Sequence, residues 1–188
     1  MTKRAESVDE TRRQITEAAV RLHTTIGPAE TSIAGVAEEA GVTRLTVYRH
    51  FADIEQLFAA CRPHWKAQNP IPDPAIWSGI DGLEPRTLAA LTAMYGWFAD
   101  HAEPLFPIYR DLATMPQATR NAMLEDTRAL ADLLVSTDLP RGEAGRRLRA
   151  VARHLLDYRT WRSLAIDHEL GPHATIETAV RMLLSARS

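Results

Sequence analysis

At 188 residues the chain is long enough for one large or two small domains with a core that needs no staple, and its one cysteine, Cys61, excludes an intrachain disulfide. Lys plus Arg number 22 against 24 Asp plus Glu, a net charge of −2, and the first 60 residues are also short of cations, with seven basic and nine acidic side chains. Overall charge therefore excludes a protein that holds polyanions through its whole surface; any such contact has to come from a local patch. The charged start MTKRAESVDETRRQ carries no apolar export core, and no run of about 18 apolar residues occurs, so a cytoplasmic protein without membrane contact is expected.

Ile15, Ala18, Ala19, Leu22 and Ile26 recur at helical spacing and predict an apolar stripe on a helix over 9–26, with Asp9 as cap and Gly27-Pro28 as stop. Thr31 or Ser32 can cap a short second helix whose stripe is Ile33, Val36, Ala37 and Ala40, and Gly41 breaks it. A third helix, 43–51, turns Val47 and Phe51 to the core. Asp53 caps a fourth with the stripe Ile54, Leu57, Phe58, Cys61 and Trp65, long enough to connect two bundles. The breakers NPIPDP, Gly79 and Gly82 mark a long loop over about 68–83. Five further helices are expected over roughly 85–101, 103–114, 116–136, 141–167 and 172–186, with Pro104 and Pro116 near the starts of theirs. Strand-like alternation and repeats are missing, which makes the fold class all-α, with about nine helices.

The second and third helices, joined by a turn at Ala40-Gly41-Val42, have helix-turn-helix spacing: the glycine lets the chain turn while apolar residues lock the pair at a steep angle. The outer face of the third helix reads Thr43, Arg44, Leu45, Thr46, Tyr48, Arg49 and His50, and no acid lies between Gly41 and Phe51. Such a face suits a groove lined with phosphates. On an arbitrary helix, Arg44 and Arg49 would be solvated surface charges, and Tyr48 would pack its ring inward.

The run TSIAGVAEEAGVTRLTVYRHFADIEQLF resembles the DNA-binding domain of the TetR family of transcriptional regulators over about residues 11–58. The resemblance is carried by the Thr31-Ser32-Ile33 helix start, Val36-Ala37, Ala40-Gly41-Val42-Thr43, Thr46-Val47-Tyr48, His50-Phe51, and the acidic cap and Leu57 that open the fourth helix. It implies a TetR-like architecture: a helix-turn-helix domain with a short N-terminal arm over 1–52, joined by a long helix to a ligand-binding and dimerisation domain over 53–188. It also implies that Arg44, Leu45, Thr46 and Arg49 look toward base edges, and that Ser32, Thr43, Tyr48 and His50 reach phosphate oxygens. The chain departs from the family pattern at Ile54, where most members carry a phosphate-binding Lys; its place on the apolar stripe favours packing against the first helix.

Beyond about residue 60 the resemblance is diffuse. Met94, Trp97, Phe98 and Tyr109, with Trp65 before them and Trp161 after, form an aromatic and methionine wall suited to a largely apolar ligand, and Arg110, His64, His101 and Asp157 are polar groups that could orient it. Such stripes fill cores more often than pockets; the cavity itself is what the resemblance implies. Leu148, Val151, Ala152, Leu155, Ile176, Ala179, Val180, Leu183 and Leu184 give the last two helices an inward face, while Leu156, Leu164 and Ile166 leave apolar surface for a second copy, with Val180 and Leu183 also expected at the seam. The expected partners are double-stranded operator DNA, a small-molecule effector and a second subunit, with no cofactor and no metal.

Two other classes compete with a ligand-released repressor. An enzyme lacks its usual supports here: G-x-S-x-G, a P-loop and G-x-G-x-x-G are all missing, and the C-x-x-H of Cys61 and His64 stands alone on an apolar stripe. A helical protein-interaction module without DNA binding would suit the acidic balance and Ile54.

Overall fold

The computed structural model describes residues 3–187, and all regular structure among them is helical. Contacts divide the chain into two compact units, one formed by the chain up to Pro70 with Ala102–Ala122, the other by Ile71–His101 with the chain from Met123 onward.

In the first unit, α1 (Lys3–Thr25) buries Ile15, Ala18, Ala19 and Val20 against α2 (Ile33–Glu39), α3 (Arg44–His50) and α4 (Ile54–Gln68), which contribute Val36, Ala37, Val47, Phe51, Leu57 and Cys61 to one core. Side-chain caps set the starts of the short helices. Ser32 accepts from the Gly35 N–H at 3.1 Å, Thr43 from Thr46 at 3.1 Å, and Asp53 from Gln56 at 2.8 Å. Gly41, at φ +66°, lets the chain leave α2 in the left-handed region. The same unit holds α7 (Ala102–Arg110), packed on α1, and a 3-10 turn over Leu112–Thr114.

Three expectations are corrected here. Helix α1 begins at Lys3, so Asp9 is an interior residue rather than a cap; nothing between them breaks a helix, and Arg13 pairs with Glu10 and Glu17 one turn away on either side. What was expected as an arm is helical from Lys3, and residues 1 and 2 lie outside the described residues. Ile26 falls beyond the last turn of α1 and is exposed, so the stripe ends at Leu22.

In the second unit, α6 (Leu83–Asp100) packs against α11 (Pro172–Ser185), which in turn packs on α9 (Gly142–Leu155). The core includes Leu91, Met94, Phe98, Leu134, Leu148, Leu155, Tyr158 and Leu183. Helix α8 (Gln117–Val135) starts in the first unit and ends in the second. The loop expected over 68–83 contains a short helix, α5 (Ala75–Ser78), whose Trp77 is fully buried, so this segment is part of the core and not a spacer. The single helix expected over 141–167 is broken into α9, α10 (Tyr158–Arg162) and a π-helical turn, Ser163–Asp167. The cause is local: Asp157 accepts from the Arg159 N–H at 2.8 Å and caps a new start. With α5 and α10 added, the described residues form eleven α-helices in place of about nine.

Candidate nucleic-acid interface

Val47 on α3 and Phe51, which caps its end, are buried four residues apart, and this anchoring turns the rest of the helix outward. Leu45 is 61% exposed and Tyr48 54% exposed, with Arg44 and Arg49 exposed beside them; the alternative of a packed Tyr48 ring does not hold. Thr43 is exposed, Thr46 and His50 are half-buried, and Ser32 is exposed at the start of α2. The structure thus gathers Arg44, Leu45, Tyr48 and Arg49 on solvent. Ser32 and Thr43 have their oxygens engaged as caps, and the Thr43 hydroxyl also meets that of Thr46 at 2.9 Å. A cap oxygen keeps a second lone pair, and a hydroxyl keeps its proton to donate, so capping does not disable either residue as a phosphate donor.

Arg12, unremarked in the sequence, fastens the far end of this helix. Its guanidinium donates to the His50 carbonyl and lies 4.1 Å over the Phe51 ring. A cation at the C-terminus of α3 satisfies a carbonyl that the helix leaves unpaired. The partners are 38 positions apart, which is why spacing did not reveal them.

Ile54 is 41% exposed instead of packed against α1, because the buried stripe of α4 begins at Leu57 and stops short of the helix's first residue. His23 is the reverse case. This histidine near the end of α1 is 3% exposed, stacks on Phe58 with ring centroids 4.5 Å apart, and has an Nε2 without a hydrogen-bond partner among the described residues. Burial pulls its pKa down from 6.5 to about 4, so the ring is neutral. Cys61 is buried too, and desolvation pushes its thiol up to about 12, which leaves it without a usable thiolate at neutral pH.

The residues expected around a ligand fall in both units. Trp65 and Tyr109 are half-buried in the first, where Arg110 is committed to Asp111 and to the Ile26 carbonyl. In the second, Met94, Phe98 and Trp161 are buried and Trp97 half-buried. Phe98 is the hub of an aromatic cluster, with Trp97 at 5.7 Å, Tyr158 at 5.7 Å and Trp161 at 6.0 Å between ring centroids. These rings fill the core of their unit, and the Trp97 indole N–H is buried with no partner among the described residues. The second unit also has an open cleft of about 610 Å³, walled by Leu124, Leu164 and Met182 with Arg128, Arg153 and Arg159 at its polar side; none of the seven expected ligand residues lines it.

Comparison with known proteins agrees with this geometry. Residues 15–61 match the family described as bacterial regulatory proteins, tetR family. The HTH-type transcriptional regulator AcrR of Shigella flexneri is 40% identical over 57 residues, a stretch that covers 30% of this chain but only 26% of that protein. Among solved structures, the multidrug binding protein EbrR complexed with imidazole aligns with a TM-score of 0.60 at 21% identity, over 92% of this chain and 89% of that one. NalD, the secondary repressor of the MexAB-OprM multidrug efflux pump in Pseudomonas aeruginosa, aligns with a TM-score of 0.58 at 24% identity, over 96% and 97%. A tetR-family transcriptional regulator from Streptomyces coelicolor aligns with a TM-score of 0.62 at 21% identity, over 95% and 79%. At these identities the structural likeness is one of fold. The family match falls on the residues that build α2, the turn at Gly41 and α3, so over residues 15–61 the chain is similar to the bacterial regulatory proteins of the tetR family.

Proposed function

We propose that this protein is a DNA-binding transcriptional regulator that acts as a homodimer on a palindromic operator and is released by a small molecule. The observation that carries the reading is the face of α3: an anchored helix whose Arg44, Leu45, Tyr48 and Arg49 are exposed and which contains no acid. Arg44 and Arg49 can pair with guanine edges, Leu45 and the Thr46 methyl can meet thymine, and Ser32, Thr43, Tyr48 and His50 hold phosphates. Replacing Arg44 by alanine is expected to relax preference at one operator position and to cost about 1 to 3 kcal/mol, whereas His50→Ala weakens all sequences alike. Mobility-shift titrations over single-base variants separate the two outcomes. An Arg44→Ala protein with unaltered affinity and preference would remove α3 from the groove.

Support for the effector comes from two of the structural relatives, one a multidrug binding protein and the other a repressor of a multidrug efflux pump. A largely apolar compound fits that pattern. The switch works by linkage: whatever factor the effector takes from operator affinity, operator takes from effector affinity. In the repressing state the dimer covers a promoter, and effector binding favours a state in which two α3 helices no longer match successive major grooves.

Dimerisation is supported by apolar side chains left on solvent at Ile166, 45% exposed, and Met182, 38% exposed. Val180 and Leu183, by contrast, are buried within the single chain, so a charge there would disrupt the unit itself. Met182→Glu or Ile166→Glu is the proper probe: sedimentation should report monomers that keep full helix content. A variant still dimeric at micromolar concentration would move the interface elsewhere.

A further inference from the structure

The turn between α1 and α2 is gripped by a pair of charges at the end of α7. Arg110 donates through Nε at 2.7 Å and Nη2 at 2.8 Å to the two oxygens of Asp111, and Nη2 also reaches the Ile26 carbonyl at 2.8 Å. The Asp111 carboxylate, buried, accepts from the Ala29 N–H at 3.1 Å, and the neighbouring guanidinium holds its pKa below the usual range. Between these two contacts sits Gly27, at φ +100°, with both side chains pressed so close that a Cβ there would collide with each of them. The turn is thereby held on both sides of a residue that only glycine can occupy.

We propose that Arg110 and Asp111 are positioning residues for DNA reading: they hold the turn that leads into α2, so that a shift of α7 is passed to α2 and α3. The short turn bears directly on the reading helices, since Thr31 donates its hydroxyl to the Gly27 carbonyl at 2.8 Å and Ser32, the next residue, caps α2. Segment Ala102–Ala122, which carries the pair, is joined to the second unit by the chain at both of its ends. A change in the second unit therefore has a covalent route to the latch as well as one through α4. Arg110 is in this way a mechanical residue.

The inference rests on the DNA-binding reading for its affinity arm alone. Hydrogen exchange, measured by mass spectrometry on the full chain and its Asp111→Ala, Arg110→Ala and Arg110→Lys variants, reads the latch directly. The probe for affinity is the best-bound fragment from a random DNA pool. In Asp111→Ala, peptides covering 26–36 should exchange about tenfold faster while those covering 15–20 do not change, and the fragment should bind about tenfold more weakly with helix content intact. Arg110→Ala should follow it, and Arg110→Lys, which can still donate to Ile26, should recover most of both effects. That recovery marks positioning, since loss of bulk packing would not be repaired by lysine. Should Asp111→Ala not fold, the exposed Arg110 pair carries the test. Unchanged exchange over 26–36, or faster exchange with unaltered affinity, overturns the proposal. If the wild-type protein binds no fragment, the DNA reading fails separately, and the latch then stands or falls on whether exchange over 44–51 rises in the same variants.

Discussion

Replacing Arg86 by methionine is expected to lower the stability of the protein by about 3 kcal/mol, the lower end of the range for breaking a buried ion pair from one side. Arg86 is buried on α6, and its guanidinium donates to the Leu134 carbonyl at 2.8 Å, to the Ile80 carbonyl at 2.8 Å and to the Asp138 carboxylate. One side chain thus ties α6, the end of α8 and the loop after α5 together. Methionine keeps much of the volume but takes a donor from two carbonyls and the main cation from a largely buried carboxylate. The loss is held to the lower end because Thr137 donates to Asp138 at 3.1 Å and Arg187 stays 3.8 Å from it. Urea unfolding of the two proteins measures the difference. A midpoint shift equivalent to less than about 1 kcal/mol would mean that the pair barely offsets its own desolvation.

The second large effect is one of pH. His23 titrates at about 4 in the fold against 6.5 unfolded, so the fold prefers the neutral ring. Its contribution is complete above pH 6.5 and is lost as the pH falls toward 4; below that, both states bind the proton and the loss levels off. At 1.36 kcal/mol per pKa unit the loss across that window is about 3 kcal/mol. His23→Phe keeps a ring to stack on Phe58 and removes the proton site. Stability measured from pH 7.5 downward should therefore fall more steeply in the wild type than in the variant, with the gap opening below about pH 6.5. Parallel curves would show that His23 escapes its burial by a local opening.

Local periodicity and capping chemistry made α2 and the start of α4 readable, since Ser32, one of two cap candidates, and Asp53 act where their residue type and spacing place them, whereas Thr43, read as the first residue of α3, is its cap. The same signals gave the outward face of α3, because burying Val47 and Phe51 leaves the remaining side chains nowhere else to go. Long-range features were not readable. Arg12 meets His50 across 38 positions, Arg86 meets Asp138 across 52, and Asp111 meets Ala29 across 82; as sequence, each is a charge on a helix or in a turn. Ile26 and Ile54 show the limit of periodicity itself: they continue their stripes in register but lie beyond the ends of the core. The break at Asp157 is a third kind, in which a side chain that caps from within a helical pattern starts a new helix. In the second unit, aromatic spacing did identify Trp97, Phe98 and Trp161 as neighbours.

DNA reading by the exposed face of α3 is tested most directly by selecting fragments from a random double-stranded pool with the full-length protein, at about 50 mM and again at about 200 mM salt. Enrichment of a palindrome with half-site centres about one helical turn apart is the expected result, with binding that weakens steeply at the higher salt. A pool that stays random at the lower salt, with the protein folded and dimeric, would contradict it and would leave a helical module that binds partners other than DNA.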